Sequence, residues 1–315
     1  MPLPVALELA DVSVRYGARA AVCGVSLGVR RGEIVALLGP NGSGKSSTLA
    51  VAAGVLDPAE GTVRAEGQLR TSDPVAFAAR VGFVPQEPAL YDELTAYDNL
   101  AFFGQLYGLC GADLRRRALR ALSRVRLSDR AAHRVGTFSG GLKQRLNLAA
   151  ALLHDPPILL LDEPTAALDP ASRDAVFADL ARFRDDGHAI LLTTHHLDEA
   201  ESGCDRVGVL DAGRLVALGP PAELLRARPT ERAVLYGHLR TVPPKYLVRA
   251  IRERLGRGAE LDVTGRRLRL AADTPEQLGV ALAALLAEGI DFEAYRTPAG
   301  SMERALREGC EVARV

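Results

Sequence analysis

Nine residues, Gly39-Pro40-Asn41-Gly42-Ser43-Gly44-Lys45-Ser46-Ser47, constrain the fold of this chain more than any other stretch. They follow five apolar residues, Ile34-Val35-Ala36-Leu37-Leu38, and precede a segment from Ser46 to Ala53 that can continue as a helix. A short continuous apolar run reads as a parallel strand buried on both faces. Strand, glycine loop and helix together are the context in which G-x-x-x-x-G-K-[ST] closes around a phosphate. The glycines let the backbone turn its N–H groups inward, and the helix N-terminus adds partial positive charge. Lys45 is then expected to bridge the β- and γ-phosphates of ATP, with the Ser46 hydroxyl a ligand for Mg²⁺. Only three lysines (45, 143 and 245) stand among the 39 Lys and Arg residues. A compact ammonium, retained at this one loop, suits a narrow phosphate cradle better than a guanidinium fork.

A second apolar run, Ile158-Leu159-Leu160-Leu161, ends in Asp162 and Glu163. Acids at the C-terminal edge of a buried strand sit where α/β sheets place ligands. Asp162 is expected to hold Mg²⁺ and Glu163 to deprotonate the attacking water. Ala189-Ile190-Leu191-Leu192-Thr193-Thr194 is a further strand, followed by His195 and His196. A histidine there can donate to the γ-phosphate and sense its presence. Strand alternation would send the two rings to opposite sides, and the offset to the helix beginning at Leu197 favours His195. Gln86, after the strand Val81–Val84, can reach Mg²⁺ and the water. Tyr16, in the β-like segment Asp11–Gly17, can stack on adenine, although alone it reads first as an aromatic at a strand end.

Downstream, Ser139-Gly140-Gly141 precedes a helix with an apolar face through Leu142, Leu146, Ala149, Ala150 and Leu153. Its free N–H groups and dipole make a second anion site, too distant in sequence to be assumed part of the first pocket. These elements, in this order, resemble the ATP-binding-cassette ATPases from about residue 5 to residue 220. The resemblance implies an α/β P-loop NTPase cassette over 1–220: a RecA-like core, an antiparallel β subdomain and a helical subdomain at about 87–140. It makes Gly39 to Ser47 the Walker A loop, Ile158–Asp162 Walker B, Glu163 the catalytic glutamate and Gln86 the Q-loop. His195 becomes the switch histidine, Ala167-Leu168-Asp169 the D-loop, Tyr16 the adenine-stacking aromatic and Ser139-Gly140-Gly141 the signature motif. In that family two subunits meet head to tail, and each ATP lies between Walker A of one and the signature of the other. A homodimer driven by ATP and Mg²⁺ is therefore expected. The chain departs from the commonest signature, LSGGQ: Phe138 leads it and Leu142 takes the glutamine position, with Gln144 two residues on. This variant looks like the branch that includes drug-resistance, polysaccharide and lipid exporters. The D-loop begins with Ala166-Ala167 rather than a serine, which puts hydroxyl-mediated contacts there in doubt.

The 315 residues suffice for two domains. A formal net charge of zero argues against a general nucleic-acid binder. The four cysteines (23, 110, 204 and 310) have no metal-ligand spacing and suit a reducing, cytoplasmic setting. Met1–Ala10 lacks the form of a signal peptide. No apolar run reaches the ~20 residues of a membrane helix, Leu278–Ala287 being the longest candidate. A membrane path would then belong to a separate permease, with this chain peripheral on the cytoplasmic face. Residues 113–134 carry eight arginines against two aspartates. That run reads as a solvated helix face rather than a lipid- or partner-facing stripe.

Residues 221–240 read as a linker that starts with a short helix, Ala222–Arg228. Residues 241–315 read as a small α/β accessory domain. It comprises a helix Lys245–Leu255, a hairpin of Glu260–Val263 with Arg267–Ala271, and a helix capped at Thr274-Pro275-Glu276-Gln277. Leu278, Ala281, Leu282, Leu285 and Leu286 line one face of that helix. A strand Ile290–Arg296 and a helix Ser301–Glu308 follow. This part weakly resembles the C-terminal domain of drug-resistance-type exporter ATPases and implies a dimer-stabilising or regulatory role. The expectation is thus the motor of an exporter. An importer ATPase is the alternative, and a soluble cassette acting on ribosomes or DNA ranks last, because there is one cassette, no internal repeat and no sustained heptads.

Overall fold

The computed structural model describes residues 3–166, 168–226, 233–244, 246–248, 251, 259–272, 275–290 and 292–296. The chain divides into two compact units, Met1–Ala222 and Glu223–Val315.

The first unit holds two sheets. β1 (Val5–Tyr16), β2 (Arg19–Arg30), β4 (Glu60–Ala65) and β5 (Gln68–Leu69) form an antiparallel sheet in the order β2-β1-β4-β5. The register of β1 slips between Leu9 and Val12, where Asp11 takes φ +52°, the signature of a bulge. The second sheet contains β3 (Ile34–Leu38), β6 (Val81–Val84), β7 (Ile158–Leu161), β8 (Ala189–Thr194), β9 (Arg206–Asp211) and β10 (Arg214–Gly219). Its order is β10-β9-β3-β8-β7-β6, parallel throughout except for β10. Every residue of β3, β7 and β8 is buried, as unbroken apolar runs require when both faces are covered. One core joins the sheets: Leu7, Leu9 and Val12 pack in the same cluster as Val35, Leu37, Leu160 and Leu191.

Helix α1 (Lys45–Ala52) adds Leu49 and Val51 to that core, and α2 (Pro74–Ala78) adds Phe77. α3 (Ala96–Leu106), α4 (Gly111–Arg124) and α5 (Gly140–Ala151) pack on one another as a helical region. α4 buries Leu114, Ala118, Ala121 and Leu122 and exposes Arg115, Arg116 and Arg120. Its end departs from that pattern. Arg124 lies 4.9 Å over the Phe183 ring and 2.9 Å from Asp186. α5 is not simply amphipathic, because Gln144 and Asn147 are buried with Leu146, Leu148 and Ala149. α6 (Pro170–Asp185) and α7 (Leu197–Gly203) complete the unit, and α8 (Pro221–Arg226) is the short helix expected after it.

The second unit is an antiparallel sheet of β11 (Ala233–Leu239), β12 (Ala259–Thr264), β13 (Arg267–Ala272) and β14 (Phe292–Arg296), in the order β12-β13-β11-β14. β11 thus runs through part of the stretch read as a linker, and it pairs with both β13 and β14. Leu235 and Leu239 of β11 join Leu261, Leu268, Leu270, Leu278, Ala281 and Leu285 in a separate core. The helix Pro275–Ala287 covers that core, but Leu286 is exposed on its outer side rather than lining the apolar face. Of the expected helix Lys245–Leu255, residues 246–248 and 251 are helical and the others lie outside the described residues. Thr274 and the helix Ser301–Glu308 also lie outside them.

Candidate active site

Parallel pairing puts the C-terminal ends of β3, β7, β8 and β6 on one edge of the central sheet. The residues that follow them are Gly39, Asp162, His195 and, two positions on, Gln86. The loop between β3 and α1 is shaped by crowding. A Cβ on Gly39 would overlap the Leu210 carbonyl, and one on Gly44 the Ala21 carbonyl. Gly44 also takes φ +102° as the residue before α1, a conformation side chains resist.

Lys45 is 5 % exposed, and its Nζ donates to the Gly39 carbonyl at 2.8 Å and the Pro40 carbonyl at 3.2 Å. Burial pushes its pKa below the usual lysine value, while the nearby Glu163 and Asp162 carboxylates oppose that shift. Ser46 Oγ donates to Asp162 Oδ1 at 3.1 Å, and Thr193 Oγ1 donates to the same oxygen at 2.6 Å. Thr193 also accepts the Glu163 N–H at 2.9 Å. One hydroxyl therefore ties both acids to the neighbouring strand. Glu163 stands in the left-handed region at φ +42°, which side chains adopt at a cost of about 1–2 kcal/mol. Around its carboxylate, Lys45 Nζ is 4.0 Å from Oε1, His195 Nδ1 is 3.3 Å from Oε2, and Gln86 Nε2 donates to Oε2 at 3.4 Å.

The sheet alternation expected to separate His195 from His196 does not operate. β8 stops at Thr194, and the two rings lie 4.2 Å apart. His195 reaches Glu163, while His196 precedes the first turn of α7. Tyr16, 54 % exposed at the end of β1, sets its hydroxyl 3.4 Å from Ser47 Oγ.

Tyr16, Gly44, Lys45, Ser46, Ser47, Gln86, Glu163 and His195 line a cleft of about 570 Å³ together with Asn41, Gly42, Arg19 and Ala21. Asp162 and Thr193 do not line it and are tied to it through Ser46 and the Glu163 N–H. Ser139, Gly140, Gly141 and Asp169 are not in it. Ser139 caps α5 by accepting from Leu142 N at 3.4 Å, and Gly140 and Gly141 face Leu168 and Ser172. Asp169 caps α6, and its bonds from the Ser172 hydroxyl and N–H hold its pKa below the usual carboxylate range. Ala167 lies outside the described residues. The sequence reading missed Arg19 and Thr193. Arg19 pairs with Tyr16 in the β1–β2 ladder, but its side chain makes no ion pair or hydrogen bond among the described residues, which leaves a free guanidinium lining the cleft. Its only sequence signal is its place three residues after Tyr16, across the turn into β2.

The cleft fits a magnesium nucleotide. Ser43 Oγ is buried without a partner, and the Lys45 ammonium rests on loop carbonyls that a phosphate can replace. Ser46 Oγ and the Asp162 carboxylate are hard oxygen donors of the kind Mg²⁺ takes alongside substrate phosphates. Among the described residues no group of three or more His, Cys, Asp and Glu is placed to enclose a metal alone.

A family model described as ABC transporter matches residues 22–166. The linearmycin resistance ATP-binding protein LnrL of Bacillus subtilis (strain 168) is 38% identical over 218 residues, 69% of this chain and 70% of that protein. The Nod factor export ATP-binding protein I of Rhizobium leguminosarum bv. viciae is 36% identical over 282 residues, covering 89% of this chain and 88% of that one. A solved dimeric structure of a post-hydrolysis state of the ATP-binding cassette MJ0796, bound to ADP and Pi, matches with a TM-score of 0.61. It is 29% identical, and the match covers 68% of this chain and 98% of that one.

Proposed function

The chain belongs to the ABC transporter family as an ATP-binding, ATP-hydrolysing subunit, and from that premise we propose that it is the motor of an exporter. In this reading it works as a homodimer at the cytoplasmic face of the membrane and drives a separate permease. The observation that carries it is the convergence of Lys45, Ser46, Gln86 and His195 with Glu163 in one cleft, where Ser46 is bonded to Asp162. The resistance and export names of its relatives favour export over import. Among the described residues no helix is long and apolar enough to cross a membrane, so the reading assigns the path to another polypeptide.

Phosphates entering the loop replace the Gly39 and Pro40 carbonyls as partners of Lys45, and the loop N–H groups and the Ser43 hydroxyl face them. Ser46 and Asp162, with Gln86 beside them, would hold Mg²⁺, which would supply neutralisation of the charge developing on the phosphate oxygens. Glu163 takes the proton of the attacking water as general base. Gln86 and His195 both meet Glu163 Oε2, so the residue that reaches Mg²⁺ and the water and the one that contacts the γ-phosphate also orient the base. Tyr16 stacks on adenine. Ser139 and Gly140, outside this cleft, serve the ATP of the partner subunit, and Asp169 lies at the same junction. ATP thereby closes the dimer and hydrolysis reopens it.

The test is affinity purification of the chain from its own membranes in mild detergent, with mass spectrometry of what accompanies it. A multispanning permease without an extracytoplasmic binding protein is the expected result. A binding protein among the partners makes the complex an importer and overturns the export reading.

A further inference from the structure

Glu199, on α7, is 4 % exposed and takes no part in the nucleotide cleft, yet both of its carboxylate oxygens are engaged. Oε1 accepts from Thr165 Oγ1 at 2.8 Å, and Oε2 accepts from Thr194 Oγ1 at 2.6 Å. Arg173 Nε lies 3.2 Å from Oε1. Each of the three partners stands beside a different working residue. Thr165 is two residues past Glu163. Thr194 immediately precedes His195. Arg173 lies in the first turn of α6, which Asp169 caps. Thr194 is further constrained, because its hydroxyl gives its proton to Glu199 and accepts the His196 N–H at 3.0 Å.

A buried carboxylate is a costly way to hold a helix down, since an apolar side chain of similar volume usually serves as well. What an apolar residue cannot supply is two acceptors and a charge that join three segments at fixed directions. We propose that Glu199 is a positioning residue for hydrolysis. It fixes the Glu163 loop, the His195 turn and the start of α6 relative to one another, so that general base and γ-phosphate contact keep one geometry. The role rests on the ATPase reading above and extends it to a residue that touches neither substrate nor metal.

The experiment compares full-length Glu199→Gln, Thr194→Val and Thr165→Val with the unaltered chain in steady-state ATPase assays. ATP affinity is measured separately by equilibrium titration, with Lys45→Ala as the control for binding. Displacement of a catalytic group by about 1 Å can cost ~100-fold in rate, so kcat is expected to fall by about 10- to 100-fold in Glu199→Gln and Thr194→Val. ATP affinity should stay within about 2-fold, because neither side chain lines the cleft. If Glu199→Gln does not fold, Thr194→Val removes one of the same bonds from the other side. A kcat within about 2-fold of the unaltered chain in folded variants overturns the proposal, as does a parallel loss of kcat and affinity. If the unaltered chain hydrolyses no ATP, or Lys45→Ala binds it normally, the ATPase reading itself has failed, and this role fails with it.

Discussion

At the scale of single residues, the cleft separates binding from chemistry. Lys45→Ala should lose phosphate affinity, because it removes the only buried ammonium in the loop. Glu163→Gln should keep ATP and accumulate as a dimer with little turnover, because the amide keeps the side chain's size but takes no proton. Size-exclusion chromatography with Mg-ATP distinguishes them, and a Glu163→Gln protein that stays monomeric would count against the closed dimer. His188 sets a different dependence. Its Nδ1 bonds the Pro156 carbonyl, its Nε2 meets the Arg124 guanidinium at 2.8 Å, and burial followed by that positive charge lowers its pKa. The folded chain then takes up this proton at lower pH than the unfolded chain does. The contribution is whole above the unfolded value, about 6.5, and is lost as pH falls toward the folded one. Urea midpoints should drop between about pH 7.5 and 5.5, and by less in His188→Gln; equal drops would exclude this source. Much of the cleft was legible because a phosphate loop and a carboxylate pair at a strand end need given residue types at fixed spacing along the chain. Thr193 and Glu199 were not, since sheet pairing and helix packing bring them to their partners from distant segments, and Arg19 was not, since no motif marks a lone arginine at the turn into β2.

At the scale of elements, buried polar side chains show where packing alone does not set the geometry. Asp179 of α6 is fully buried and pairs with Arg126 after α4, Arg145 of α5 and Arg182 of its own helix. Asp179→Ala leaves three guanidiniums without that partner. Because Arg126 and Arg182 are half exposed, the loss should fall at the low end for a buried pair, about 3 kcal/mol. Urea unfolding reads it directly, and a change under about 0.5 kcal/mol would show the cluster to be energetically idle. Strands β3, β7 and β8 were plain in the sequence as apolar runs. β11 was not, because Ala233-Val234-Leu235-Tyr236-Gly237-His238-Leu239 has a weak alternation interrupted by glycine. Its pairing with β13 and β14 supplies what that local pattern lacks. α5 misled for the opposite reason: its polar Gln144 and Asn147 are enclosed by neighbouring elements.

For the whole molecule, the presence of two separate cores bears on how the chain can be divided. The cluster around Leu7, Leu37 and Leu160 contains no residue of the second unit, and the cluster around Leu235, Leu270 and Leu285 contains none of the first. A chain ending near Ala222 should therefore fold and bind ATP within about 3-fold of the full-length affinity, since every residue of the cleft lies before that point. Isothermal titration checks this, and a folded truncation that has lost nucleotide would reject it. The placement of Ser139-Gly140-Gly141 away from the chain's own phosphate loop has a genetic corollary. In the proposed head-to-tail homodimer, Lys45→Ala and Ser139→Ala should each disable hydrolysis, with the two defects on different halves of every composite site. In a mixed dimer both lesions meet at one site and leave the other whole. Two inactive proteins, combined and allowed to exchange subunits freely, should complement each other, with about a quarter of all sites restored.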